Sequence, residues 1–220
     1  MAAPVSASDP AKTLFVIPCS GAKQAFASRV QQGPSILDEL PSNLAQRLAH
    51  ARNAVADRAR IDETTMVPAW QRYGGTLYQV AGPILGKMVD DGRHVLILSG
   101  GYGIVLASEP IGDYDARFQP SWWPRGVIQE ALSAYALRHR LKHVRAIVSA
   151  TTAYRRIVER TDWQAAGVED AVLITPEAVG GAMRKAPRAQ GEILVRLAEG
   201  SLPDGWSSSD GLRAESRRLA

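Results

Sequence analysis

Four short runs along the chain are apolar at almost every position: "TLFVIP" (13–18), "HVLILS" (94–99), "HVRAIVS" (143–149) and "AVLIT" (171–175). A strand with one face in water alternates, so continuous runs of this length predict strands buried on both faces. The stretches between them follow a helical period instead. Residues 42–60 place Leu44, Leu48 and Val55 on one side, after Pro41 and with Ser42 as the expected cap. Residues 76–90 carry Leu77, Val80, Ile84, Leu85 and Met88, with Gly82 and Pro83 expected to kink or interrupt the helix. Residues 124–141 set Val127, Ile128, Leu132, Tyr135 and Leu137 along a face, and a last helix is predicted from Pro187 to Glu199.

Strands alternating with helices predict an α/β fold: a mainly parallel sheet of about four or five strands with helices on both faces. Residues 12–200 are expected to form a single domain, with residues 1–11 and 201–220 as flexible ends. Ligands of such sheets sit outside the carboxyl ends of the strands. Each predicted strand runs into a distinctive loop: "PCSGAK", "GGYG", "ATTAY" and "PEAVGGAMRK". The loops at 18–23, 99–103, 149–154 and 180–185 are therefore expected to share one cleft.

Composition narrows the classes of function. A hydrophobic content of 45% in 220 residues supports a real core. The formal net charge of +4 permits a polyanionic partner without requiring one. Cys19 is the only cysteine, which excludes an internal disulfide and a cysteine-built zinc site. His139 and His143 stand four apart but straddle a predicted helix end, where helix-terminal charge is the simpler reading than metal ligation. No metal is expected. No apolar run reaches membrane-spanning length, and "MAAPVSASDPAK" lacks the basic start and apolar core of a secretory signal. A cytoplasmic protein without a membrane partner is the expectation.

In "PCSGAK", small residues after a strand can expose backbone N–H groups, and Lys23 can add an ammonium, to an anion. The glycine spacing is not that of a Walker loop. Cys19 could act as a nucleophile or serve as a small buried apolar group. In "VLILSGGYGIVLASEPIGDYDA" (95–116), Ser99, Gly100, Gly101 and Gly103 allow a turn with positive φ and a close approach of ligand to backbone. The third small residue of a dinucleotide fingerprint is missing, Leu106 standing in its place, and no cofactor is expected. Tyr102 and Tyr114 could stack on a base, while Glu109 and Asp113, with Asp115 nearby, could hold ribose hydroxyls or act as general acid or base. The alternative is a compact loop whose glycines serve the turn and whose carboxylates face water.

Thr151 and Thr152 stand where they could cap a helix and leave N–H groups for an anion. Arg184, Lys185 and Arg188 form the densest basic patch and read as phosphate contacts or as a solvated loop. Of the adjacent Trp122 and Trp123, one is expected to leave the core and cover a pocket or meet a partner.

Three of these motifs, "VIPCSGAK", "GTLYQVAGPIL" and "LILSGGYGIVLASEPIGDYDA", taken in order and spacing over residues 13 to 116, resemble the YaaA-like peroxide-stress proteins and their uncharacterised relatives. That resemblance implies DNA binding and protection from oxidative damage, and it directs attention to Cys19, Ser20, Lys23, Tyr78, Ser99, Gly101, Tyr102, Gly103, Pro110 and Tyr114. The chain is shorter than the stress proteins proper, and no DNA-binding hairpin is legible in it.

The expected function is that of a nucleic-acid-associated protein, linked to oxidative stress, with a strand-end pocket for a phosphate and a base. The alternative is an enzyme acting on a nucleoside or nucleotide, an N-glycosidic hydrolase or transferase with Glu109 and Asp113 as its carboxylates. A third reading is a binding module without chemistry. The partner is accordingly nucleic acid or a nucleotide-like small molecule.

Overall fold

The four apolar runs are strands lying side by side, and one short apolar strand and one polar strand complete the sheet around them. The structure, a computed structural model, describes residues 5–6, 9–27, 29–177 and 185–220. In chain order the elements are β1 (Val5–Ser6), β2 (Thr13–Pro18), α1 (Ser42–Ala59), β3 (Asp62–Pro68), α2 (Ala69–Arg72), α3 (Thr76–Asp90), β4 (His94–Ser99) and β5 (Gly103–Leu106). They continue with β6 (Pro110–Asp113), α4 (Val127–Arg138), β7 (His143–Ile147), α5 (Ala153–Glu159), β8 (Asp170–Glu177), α6 (Ala186–Glu199), β9 (Ser201–Leu202) and β10 (Arg213–Arg218). The chain is an α/β protein.

The main sheet has six strands in the order β10-β8-β7-β2-β4-β5. The central four run parallel, and both edge strands are antiparallel to their neighbours. Both faces are covered, as continuous apolar runs require. Leu14 and Val16 of β2 enter a core with side chains of α1, α4 and α5, while Phe15 and Ile17 enter the opposite core with α3 and α6. Strands β4 and β8 divide their side chains in the same way.

The sheet exceeds four or five strands because two strands join its edges: β5, the apolar "GIVL" that follows the glycine turn, and β10, which carries little hydrophobic signal. Strand β10 reads "RAESRR", and its backbone register against β8 runs from Arg213 opposite Glu177 to Arg218 opposite Val172. Residues 213–218 are thus part of the sheet, which corrects the expectation of a flexible tail from 201 onward. Arginines on an edge strand also discourage pairing with another chain. Val5–Ser6, expected to be loose, pairs antiparallel with Ser201–Leu202. The polar strand β3 pairs with β6 in a separate two-stranded sheet.

Helix α1 ends where Arg60 turns left-handed at φ 53, and its cap is Pro41 rather than Ser42, with no side-chain cap bond. Pro83 sits inside a continuous α3 and does not interrupt it. Helix α4 begins later than expected, after Gly126 at φ 84, and Leu137 faces water at 58% exposure. Trp123 is buried and Trp122 is half-buried against the same core, so neither leaves it. No helix among the described residues is long and apolar enough to cross a membrane.

Candidate functional site

The chain leaves β2 toward β4 on one side, and it leaves β7 toward β8 on the other. Connections diverging from two adjacent parallel strands open a crevice at their carboxyl ends. Cys19, the first residue after β2, stands at that point, its backbone N–H held by Leu98 O at 2.8 Å. Its Sγ lies 3.1 Å from Tyr154 Oη, which comes from the first turn of α5 beyond β7. The thiol is half-buried and touches the cores on both faces of the sheet.

Around it stand aromatic hydroxyls. Tyr73 Oη is 3.1 Å from Ser99 Oγ and 2.9 Å from Tyr114 Oη, and Ser99 Oγ also accepts from Tyr102 N at 3.1 Å. Tyr78 Oη donates to Pro18 O at 2.9 Å and so pins the end of β2. Burial pushes Tyr73, Tyr78, Tyr114 and Tyr154 well above the ordinary tyrosine range, and the nearby thiol adds to each shift. These phenols stay protonated at neutral pH and act as hydrogen-bond donors.

Lys23 closes the group. Its ammonium lies 3.9 Å from the centroid of the Tyr114 ring and 3.3 Å from Gly21 O. Burial lowers its pKa, opposed by the charges of Cys19, Asp113 and Asp115. A half-withdrawn cation over an aromatic face is a strong electrostatic feature. Ser20 Oγ accepts from Ala22 N at 3.1 Å and shapes the turn that presents it.

No family model matches the chain, and no curated protein matches it. The resemblance to the YaaA-like proteins rests on the three motifs alone. Two of those motifs do meet in space: Tyr114 carries Lys23 on its ring and lies 5.9 Å, centroid to centroid, from Tyr102. The loops at 18–23, 99–103 and 149–154 gather at one end of the sheet, while most of 180–185 lies outside the described residues.

Other expected roles do not fit the geometry. Glu109 is buried, and both its oxygens are occupied: Oε1 accepts from Arg52 Nη1 at 2.8 Å and Ser35 Oγ at 2.9 Å, Oε2 from Ile36 N at 2.9 Å and Leu106 N at 3.1 Å. It is a structural anchor and has no lone pair left for acid–base work. Asp113 is exposed at the end of β6 and accepts from Tyr114 N at 2.7 Å, so the two carboxylates do not act as a pair.

The glycines also serve the chain itself. A Cβ at Gly100 would meet Ala116 O at 2.5 Å, one at Gly101 the Tyr114 ring at 2.9 Å, and one at Gly103, where φ is 73°, Trp123 at 2.8 Å. The close approach read from these residues is that of Tyr114 and Trp123, not of a ligand, and the turn joins the hairpin β4–β5. Tyr102 is buried, its Oη accepting from Gly112 N at 3.0 Å and donating to Glu63 at 3.3 Å, so it offers no free face to a base. Tyr114 is buried beneath Lys23 and is likewise closed to stacking. Ser99 and Tyr78 are buried, and their hydroxyls hold the scaffold.

At the β7 end, Thr151 is exposed, and Thr152 occupies the N-cap position of α5 as expected, but its hydroxyl donates to Ser149 O at 3.0 Å and makes no cap bond. Arg184 lies outside the described residues. Lys185 is exposed at the start of α6, and Arg188 pairs with Asp210 at 3.5 Å, which reduces the charge left for phosphate.

The structure adds residues that the motifs did not single out. Tyr73 and Tyr154 complete the hydroxyl group, and buried Gln190 donates to Ser149 Oγ at 3.3 Å at the same end of the sheet. Phe118, 5.0 Å from the Tyr154 ring, lies half-buried beside them. Tyr73 and Phe118 lie outside the glycine motif and the strand-end loops, so only tertiary packing could find them.

Proposed function

We propose that the chain binds a nucleotide-class ligand, within nucleic acid or free, at the crevice between the carboxyl ends of β2 and β7. The observation that carries this reading is Lys23, a half-buried ammonium held 3.9 Å from the centroid of the Tyr114 ring at the diverging strand ends. A phosphate there would meet a cation already oriented by the Tyr114 ring and Gly21 O. The hydroxyl of Tyr154, 3.1 Å from Cys19 Sγ, supports the reading, since a protonated phenol does not repel an anion. The overall charge of +4 favours a nucleic acid over a polycation.

The link to oxidative stress follows the thiol. Oxidation of Cys19 by peroxide would add an oxygen in the same crevice and alter what binds there. The glycosidic alternative now depends on Asp113 alone, since Glu109 is fully engaged.

The test is binding of labelled oligonucleotides, single-stranded and duplex, and of free nucleotides, followed by anisotropy over a salt series. Lys23→Gln should weaken binding roughly tenfold and reduce the salt slope by about one. Binding that is absent in the wild type, or indifferent to Lys23→Gln, would overturn the crevice reading.

A further inference from the structure

A second cavity lies on the far side of the Tyr102 hydroxyl, apart from the thiol crevice. It measures about 440 Å³ and is lined by Gln32, Pro34, Arg52, Glu63, Met66 and Tyr102, among others. That volume falls within the range of about 300–1,000 Å³ typical of small-molecule sites. The wall is built by the chain at 29–35 running beside β3: Met66 N donates to Arg29 O at 2.8 Å, and Gln31 N to Met66 O at 3.0 Å.

The polar groups facing this cavity are held from behind. Arg52 is a charged side chain only 12% exposed, and its guanidinium donates through Nε to Tyr102 O, through Nη1 to Glu109 and through Nη2 to Ile104 O. A guanidinium has five N–H groups, so each terminal nitrogen keeps one donor. Glu63 is exposed, and its Oε1 is fixed by Tyr102 Oη at 3.3 Å. Tyr102 is in turn fixed by Gly112 N, and the Arg52 guanidinium carbon lies 5.7 Å from the Tyr102 ring centroid. A held donor and an exposed acceptor thus share one cavity, whose lining also includes the apolar Met66, Pro34 and Pro110 and the polar Gln31, Gln32 and Ser35.

We propose that this cavity binds a nucleobase with a guanine-type edge. Such an edge sets a carbonyl oxygen beside a ring N–H and an exocyclic amino group. The carbonyl accepts from the unused N–H groups of Arg52, and the two donors meet the Glu63 carboxylate as a bidentate pair. Met66 and the prolines cover the ring faces. Adenine presents no carbonyl to the arginine and only one donor group, uracil and thymine lack the amino group, and cytosine lacks the ring N–H. The Glu63 charge disfavours a phosphate inside the cavity, so the ligand enters base first. The assignment does not depend on the crevice at Cys19, whose failure to bind would leave it standing.

The test uses guanosine, inosine and adenosine as probes in calorimetric titrations of the full chain. Guanosine should bind, inosine, which lacks the amino group, should bind several-fold more weakly, and adenosine at least about tenfold more weakly. Glu63→Gln, a change at an exposed side chain, should reduce guanosine affinity about tenfold with an unaltered circular dichroism spectrum. Gln32→Trp, which adds bulk at an exposed position of the lining, should abolish binding. Absence of guanosine binding by the wild type, equal affinity for adenosine, or indifference to both Glu63→Gln and Gln32→Trp would overturn the proposal.

Discussion

Arg52 Nη1 lies 2.8 Å from Glu109 Oε1, and the two side chains are only 12% and 5% exposed. The pair ties α1 to the turn after β5, and Glu109 also holds the N–H groups of Ile36 and Leu106. Removing one member leaves a buried charge without its partner, which costs about 3–5 kcal/mol. Glu109→Gln is therefore expected to lower the urea midpoint of unfolding sharply. Unchanged stability with a selective loss of turnover would return Glu109 to the catalytic role that its position after the glycine turn suggests.

Gly101 faces the Tyr114 ring, and a Cβ there would stand 2.9 Å from Tyr114 Cγ. Tyr114 cannot retreat easily, because its hydroxyl bonds Tyr73 and Ser99 and its ring carries Lys23. Gly101→Ala is expected to destabilise by about 1–3 kcal/mol, the usual cost of overpacking. Thermal unfolding checks this. A variant as stable as the wild type would mean that the ring yields and that the glycine is kept for another reason.

The central sheet was legible because a strand buried on both faces must be apolar throughout: β2 and β4 coincide with "TLFVIP" and "HVLILS". Strand β10 was hidden, since an edge strand is held by backbone hydrogen bonds that leave no mark on "RAESRR". The site was half legible. Its place at the strand ends follows from the fold class, and Cys19 and Lys23 were singled out for it. The roles of Gly101, Tyr102 and Glu109 were not legible, because a glycine beside a ligand and a glycine beside a tyrosine look alike in one dimension. Likewise, nothing in the chain order near Glu109 announces Arg52, 57 positions away.

Tyr154 is the direct partner of the Cys19 thiol, and its hydroxyl stays protonated. Its hydroxyl, 3.1 Å from Sγ, holds the sulfur in one orientation for attack on an alkylating agent. Tyr154→Phe removes the hydroxyl and keeps the ring against Phe118. Iodoacetamide should then modify Cys19 roughly three- to tenfold more slowly at fixed pH, the scale of one hydrogen bond. A faster reaction would show that Tyr154 shields the sulfur more than it activates it.

His94 sits at the amino-terminal end of β4, its Nδ1 2.9 Å from Tyr135 Oη and its ring 4.7 Å from that of His139. Burial pushes its pKa down from 6.5 to about 4, with His139 and Lys12 adding to the shift and Glu39 opposing it. The folded chain therefore resists a proton that the unfolded chain accepts near pH 6.5. Stability from this group is complete above that value and is lost progressively as pH falls through 6.5 toward about 4. Asp62 and Glu169, held below the ordinary carboxylate range by hydrogen bonds, act in the same direction but only in more acid solution. Urea midpoints taken from about pH 7.5 to about 4.5 should fall across this window in the wild type and change less in His94→Gln. The glutamine keeps a polar group for Tyr135 while removing the titration. Parallel curves for the two proteins would mean that the loss belongs to other groups, and that the pairing of His94 with Tyr135 is only a matter of packing.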